Sequence, residues 1–253
     1  TLFFIQLYFF RALYILTNSS KTHRKSLTFA IYLTKYVILS LIHIYVCLIF
    51  YINFKKPMNT ILLFYKYVHI QYPKSIMKQQ RELCENLGLK GRIILAHEGI
   101  NGTVSGSTEA TQAYKEYMNN HELFGNIDFK ESEGSDDAFP RLRVVVKDEI
   151  VHLGVDTTKV TVQDGGQHLT PEEAHALMEQ SPEDLIILDT RNNYESRVGT
   201  FKNSLTPDIK NFREFPEYID KNLETFKDKQ VLMHCTGGVR CERATAYLQQ
   251  KGV

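Results

Sequence analysis

The 253-residue sequence predicts an α/β protein in two parts, a small α+β domain followed by a parallel-sheet domain. Three observations predict it. From Met58 onward, short apolar runs alternate with amphipathic stretches at helical spacing, with turn residues between them. Two later runs, Leu185–Asp189 and Gln230–His234, have the length and apolar centre of fully buried parallel strands. The third is a compositional break at residue 58 that sets where this pattern begins. Residues 1–57 contain no Asp, Glu or Gly but seven Lys/Arg, whereas 58–253 hold all 29 acidic residues and all 14 glycines. The formal charge is therefore +7 upstream and −6 downstream, although the whole chain carries only +1.

Two readings of 1–57 stay open. Tyr36 to Phe54 carries no formal charge and is long enough to cross a bilayer, so it is a candidate membrane anchor and makes a membrane a conditional partner. The competing reading is translated A/T-rich non-coding sequence. The chain starts at Thr1, and the stretch is dominated by Phe, Ile, Leu, Tyr, Lys, Asn and Ser. A secretory signal fits less well, because no small-residue cleavage site follows the apolar run.

The elements follow in order. Ile61–His69 reads as a strand, and Tyr72–Leu87 as a helix with Pro73 near its start and Gly88 just past its end. Arg92–Ala96 is a short apolar strand. His97–Gly106, with Gly99, Gly102 and Gly106, reads as a turn-rich loop. Glu109–Asn120 is helical; Ile127–Glu131 and Leu142–Val146 are strands. This order suggests a split-βαβ, ferredoxin-like domain over 58–155. A polar, Gly-containing linker covers 156–170. Thr170-Pro171-Glu172-Glu173 is a helix start with a capping box, opening the second domain at 171–253. Phe215–Leu223 reads as helix, as does the chain from Cys241. The sequence stops where a further strand is expected, so this domain reads as incomplete.

The chemistry concentrates in Cys235-Thr236-Gly237-Gly238-Val239-Arg240, between a buried strand and a helix. A thiolate at a helix N-terminus is stabilised by the dipole and by unpaired N–H groups. Gly237 and Gly238 let the loop curl so that the amides of Thr236 to Val239 face inward as an anion nest, and Arg240 adds positive charge. Cys235 is thus a candidate nucleophile or persulfide carrier. Four residues separate Cys235 from Arg240, where a cysteine phosphatase needs five, so the loop suits one sulfur atom better than a phosphoryl group.

The segment Cys-Thr-Gly-Gly-Val-Arg-Cys-Glu, from Cys235 to Glu242, resembles the active-site loop of rhodanese domains. Asp189-Thr190-Arg191-Asn192-Asn193-Tyr194-Glu195 and Gly199-Thr200-Phe201 resemble their upstream signature. Together with Glu-Gly-Ile-Asn-Gly-Thr at Glu98–Thr103, the chain from about Phe64 to Val253 is similar to the rhodanese-containing tRNA uridine-34 5-hydroxylase family. One departure is Asn203-Ser204-Leu205-Thr206-Pro207, where rhodaneses usually carry Ala-x-x-Pro. The resemblance implies an acylphosphatase-like domain before a rhodanese-like one. It also implies a cysteine-dependent 5-hydroxylation of wobble uridine with tRNA as partner and molecular oxygen as co-substrate. The alternatives are a sulfurtransferase taking sulfane sulfur from a small donor onto Cys235, and a non-catalytic or membrane-tethered module.

Asp189 and Arg191 lie at the carboxyl end of a parallel strand, where α/β sheets place ligands. Asp189 is expected either to orient the cysteine loop by ion pairing or hydrogen bonding or to be purely structural, and Glu195 to be structural. Arg240 either holds an anion or locks the loop through an ion pair. Cys241 is either a resolving thiol or a small core residue. Glu98 and Asn101 either wall a substrate cleft or shape a bend. Lys74, Lys78, Arg81, Lys90 and Arg92 fall close together in the chain and are a candidate RNA patch set against an acidic background. No metal ligand set and no organic cofactor site is legible. Four unpatterned cysteines suggest a reducing, cytoplasmic compartment. A protein begun at Met58 is expected to fold and stay soluble, and aggregation of that shortened chain on expression would instead favour a working leader.

Overall fold

The computed structural model describes residues 34–35, 37–39, 41–46, 59–135, 137–180 and 182–253. The chain divides into two units, Thr1–Pro57 and Met58–Val253, at the compositional break. In the first unit the described residues are helical, and much of the expected span Tyr36–Phe54 lies outside the described residues. Among the described residues no helix is long and apolar enough to cross a membrane.

The second unit begins with β1 (Asn59–Tyr67), α1 (Pro73–Asn86), β2 (Lys90–Ala96), β3 (Gly99–Ser107), α2 (Thr108–Asn120), β4 (Phe129–Gly134) and β5 (Leu142–Val146). The sheet order is β4-β1-β3-β2-β5, antiparallel except for the parallel pair β2–β5. Two helices pack on one face and share a core with Leu62, Phe64, Ile93, Leu95, Ile100 and Val104. The strands alternate accordingly, with the intervening residues on the opposite face. Pro73 opens α1, and Ser107 caps α2 by accepting a hydrogen bond from the Ala110 amide at 3.2 Å. Gln80 is buried between these helices, where it accepts from the Tyr114 hydroxyl at 2.6 Å.

The glycine-rich segment expected as a loop is instead β3, the central strand. Its glycines are sites of close approach rather than turns. A Cβ at Gly102 would lie 2.4 Å from the ring of Phe64, so the bare backbone is what lets Phe64 lie across the strand. The expected order lacks this strand, and adding it completes the ferredoxin-like pattern.

After β5 the chain runs through a 3₁₀ turn at Val162–Asp164 to α3 (Pro171–Gln180), β6 (Leu185–Asp189), α4 (Asn193–Ser196), α5 (Phe215–Lys221), α6 (Leu223–Phe226), β7 (Gln230–His234) and α7 (Val239–Gln250). The box at the start of α3 is present: the Glu173 amide donates to Thr170 Oγ1, and the Thr170 amide donates to Glu173 Oε2. Strands β6 and β7 pair in parallel, and Leu205 bridges to Leu188 on the other side of β6. Their core gathers Leu188, Phe212, Phe215, Ile219, Phe226 and Leu248. Leu153 and Val160 belong to this second core, so the segment after β5 is packed rather than free.

Arg243 of α7 ties the two domains together. It is 1% exposed, and its guanidinium donates to the Val160 and Val155 carbonyls at 2.6 and 2.8 Å. It also meets Glu149 at 3.3 Å and Glu98 at 3.6 Å. A buried charge held by several partners leaves those partners exposed to one another when it is removed. Arg243→Met should therefore lower unfolding stability by about 3–5 kcal/mol in urea titrations. A loss below about 1 kcal/mol, the range of an exposed ion pair, would contradict a working buried cluster.

Candidate active site

Cys235 leaves the end of β7, and Gly238 caps α7 with φ +100°, a conformation open to glycine. That turn brings the Gly238 amide to 3.0 Å from Cys235 Sγ, as a donor. The Cys235 thiol is held down at about 5 by a hydrogen bond from Cys241, by the charge of Arg240 and by the amides of Arg240 and Cys241, which together outweigh its burial. Cys241 moves the other way, pushed well up by its bond to the Cys235 sulfur and by burial. One cysteine is thus a thiolate and its neighbour a thiol donor, which gives Cys241 a part that sequence reasoning assigns to packing or to disulfide exchange.

Arg240 is committed to an internal ion pair. Its two terminal nitrogens donate to Glu195 Oε2 and Oε1, each at 2.7 Å, a bidentate arrangement. Thr236 Oγ1 donates to the same carboxylate at 2.9 Å and accepts from Arg240 at 3.2 Å. Burial opposes ionisation of Glu195, but the bonds and charge of Arg240 prevail and hold its carboxyl below the usual range. Glu195 sits at the third position of α4, where its carboxylate also accepts the Asn192 amide. The loop is therefore clamped by a short helix that precedes it in the chain, between β6 and α5.

Asp189 acts one step further away than expected. Its carboxylate binds Arg191 at 2.6 Å and Thr200 at 2.9 Å and stands 3.9 Å from His234 Nε2. Its bonds among the described residues go to these partners and not to the cysteine loop. Burial works against its ionisation, and Arg191 more than compensates. Arg191 also donates to the Gly199 carbonyl, closing the turn after α4. The loop is reached instead through Thr190, a residue of the Asp189–Glu195 signature with no role of its own legible in the sequence. Its amide and hydroxyl donate to the His234 carbonyl at 3.0 and 3.1 Å, and its hydroxyl lies 3.7 Å from Cys241 Sγ.

The first domain forms part of the site through β1. A Cβ at Gly237 would meet Leu63 at 2.4 Å, and one at Gly238 would meet the Tyr65 hydroxyl at 2.7 Å. The nest glycines thus serve loop curvature and domain contact together. Tyr65 donates to Glu242 at 2.8 Å, and Tyr67 donates to the Val239 carbonyl at 3.1 Å. Burial, with Glu242 alongside, pushes the Tyr65 phenol up, so it stays a hydrogen-bond donor. A cavity of about 530 Å³ beside the loop is lined by Tyr65, Lys130, His168, Cys235, Gly238 and Glu242 among others. His168 reaches the Glu242 carboxylate at 3.2 Å.

Glu98 and Asn101 are not brought to Cys235. Glu98 accepts the Ile150 amide at 2.8 Å, and Asn101 donates to the Ile150 carbonyl at 2.9 Å. The pair pins the chain as it leaves the first domain. Glu98 lines a separate cavity of about 200 Å³ with Tyr67, His97 and Arg243. Tyr65, Tyr67 and Lys130 escape sequence reasoning because their role depends on domain docking, which no local spacing signals.

Residues 59–150 match the family described as the UPF0176 acylphosphatase like domain, and residues 170–253 match the rhodanese-like domain. The chain carries a UPF0176 acylphosphatase-like domain followed by a rhodanese-like domain. That architecture agrees with the two-part α/β fold and the split-βαβ order expected from the sequence. The chain is 43% identical over 198 residues to proteins named tRNA uridine(34) hydroxylase from Streptococcus uberis and Streptococcus suis. The match takes in 76% of this chain and 60% of each relative, so the chain spans about three-fifths of the length of the curated relatives it matches. Among solved structures, an acylphosphatase from Coxiella burnetii aligns at 15% identity with a TM-score of 0.27, over 37% of this chain and 96% of its own.

In this rhodanese-like loop, peptide-resolved alkylation by iodoacetamide should show Cys235 reacting along a curve that rises through about pH 5 and is flat from about 6.5 to 8. The sign follows from the depressed value: the thiolate fills as pH rises past it. A curve still climbing near pH 8.5, the range of a free thiol, would contradict the nest.

Proposed function

We propose that this chain hydroxylates uridine 34 in tRNA, the activity its relatives are named for, and that it does so at C5 with Cys235 as the reacting group. The observation that carries the reading is the Cys235 thiolate at a cavity walled by both domains, since a rhodanese-like domain alone would not need Tyr65 and Lys130 at its loop. A thiolate adds readily to C6 of a uracil ring, which concentrates negative charge at C5, the carbon that takes the hydroxyl group. The nest that stabilises the free thiolate also receives it again when the C6 bond breaks. Molecular oxygen is the oxidant in this reading. One oxygen atom goes to C5, and the other leaves as water with two electrons and two protons from an external donor.

The rhodanese-like loop supports one alternative, transfer of sulfane sulfur carried as a persulfide on Cys235. The same amides of Gly238, Arg240 and Cys241, with the charge of Arg240, would stabilise either sulfur anion. A reducing, cytoplasmic setting suits both, because each needs Cys235 unoxidised.

The two separate in one assay. Purified protein with tRNA, oxygen and a reductant should yield 5-hydroxyuridine in nuclease digests read by mass spectrometry. Cys235→Ser should remove the product, as should exclusion of oxygen. Thiocyanate formed from thiosulfate and cyanide, with no 5-hydroxyuridine, would decide for sulfur transfer.

A further inference from the structure

The face of the first domain's sheet that is turned away from its two helices carries an uneven set of charges. Across β4-β1-β3-β2-β5, Lys130, Leu63, Thr103, Arg92 and Arg143 occupy one register row. Lys90 stands on the same face of β2, two residues before Arg92. The strand residues on this face include these four cations and no Asp or Glu, because Glu131 and Glu133 of β4 point to the helix side, where Glu131 pairs with Lys115. The domain's acidic average hides this separation.

Arg92 and Arg143 are direct register partners on neighbouring strands, and both are exposed. Like charges placed so are mutually unfavourable. Among the described residues no salt bridge engages Lys90, Arg92 or Arg143, and Lys130 has only a surface pair with Asp128. Exposed pairs of that kind are weak and exchange readily for another anion. A repulsive arginine pair with no Asp or Glu among the strand residues of its face is the electrostatic form of a polyanion site.

The row also leads to the cysteine. Its second position, Leu63, is the side chain that Gly237 packs against, and its first, Lys130, lines the Cys235 cavity. With strands about 4.8 Å apart, Arg92 stands about 10 Å and Arg143 about 14 Å from Leu63 along the row. Successive backbone phosphates of one RNA strand can span such a row while a base enters the cavity.

We propose that this row is the track for the tRNA phosphate backbone, with Arg92 and Arg143 anchoring the strand whose target base reaches Cys235. The proposal rests on the tRNA reading above and adds the surface that binds it. It divides the patch expected from the sequence: Lys74, Lys78 and Arg81 ride α1 on the other side of the sheet, whereas Lys90 and Arg92 join Lys130 and Arg143.

Filter binding of an unmodified tRNA transcript to the full chain tests it at several salt concentrations. Arg92→Ala/Arg143→Ala should weaken binding about tenfold and make the dependence of log K on log salt shallower by about 1.5, the loss of two phosphate contacts. Lys74→Ala/Lys78→Ala on α1 should stay within about twofold of wild type. Cys235 alkylation in the arginine variant should match wild type, showing the loop intact. Wild-type affinity in the arginine variant would overturn the track while leaving tRNA as substrate. An absence of binding by wild type itself would overturn both.

Discussion

Arg243 brings a full charge into the seam between the two domains, and the active site is referenced to it. A guanidinium there needs oxygen partners, and its two terminal nitrogens draw on the Val155 and Val160 carbonyls and on two carboxylates, while Nε is left without one. One of those, Glu98, belongs to the first domain, while Arg243 itself is the fifth residue of α7, just beyond Cys241. Holding Arg243 therefore holds the N-terminus of α7, and with it the loop that lies against Leu63 and Tyr65. Glu98 and Asn101 share in this by fixing Ile150, which accounts for the Glu98–Thr103 motif without placing it in the chemistry.

Within the loop the charges are arranged in series. Glu195 neutralises and aligns Arg240, and Arg240 together with backbone amides and the Cys241 thiol holds Cys235 as an anion. Although bidentate on Glu195, Arg240 acts on the sulfur through its charge, its backbone amide and a side-chain bond, beside the other amides of the nest. Asp189 stands behind this arrangement. It stabilises the turn through Arg191 and Thr200, and its field partly offsets the burial that holds His234 in its neutral form.

The elements most legible in the sequence are those whose signals are local. The strands Leu142–Val146, Leu185–Asp189 and Gln230–His234 stand where their apolar runs predict, as does the Thr170–Glu173 capping box. The nucleophilic loop is legible too, since a cysteine before two glycines and a helix is a compact pattern. Strand β3 is not, because a glycine cluster is ambiguous until the ring that fills its space is known. That ring, Phe64, lies on β1, with α1 and β2 between them in the chain. Tyr65 and Tyr67 fall in a strand with no motif of their own, and only the docked second domain shows their hydroxyls reaching Glu242 and Val239. The basic row is hidden for a related reason: Lys130, Arg92 and Arg143 are adjacent only through strand pairing.

The contact of Gly237 and Gly238 with Leu63 and Tyr65 has a consequence for how such proteins can diversify. In a freestanding rhodanese-like domain the loop would face solvent on that side, and its tip could accept larger residues. Here a methyl group at the tip would displace the Leu63 side-chain end or the Tyr65 hydroxyl, so its composition is coupled to a neighbour encoded on the first strand of the preceding domain. A rhodanese-like domain borrowed from elsewhere could keep its thiolate chemistry yet fail to seat on this sheet. The two modules are thus coupled at Leu63, Tyr65 and the two glycines, where a larger residue on one side calls for a smaller one on the other.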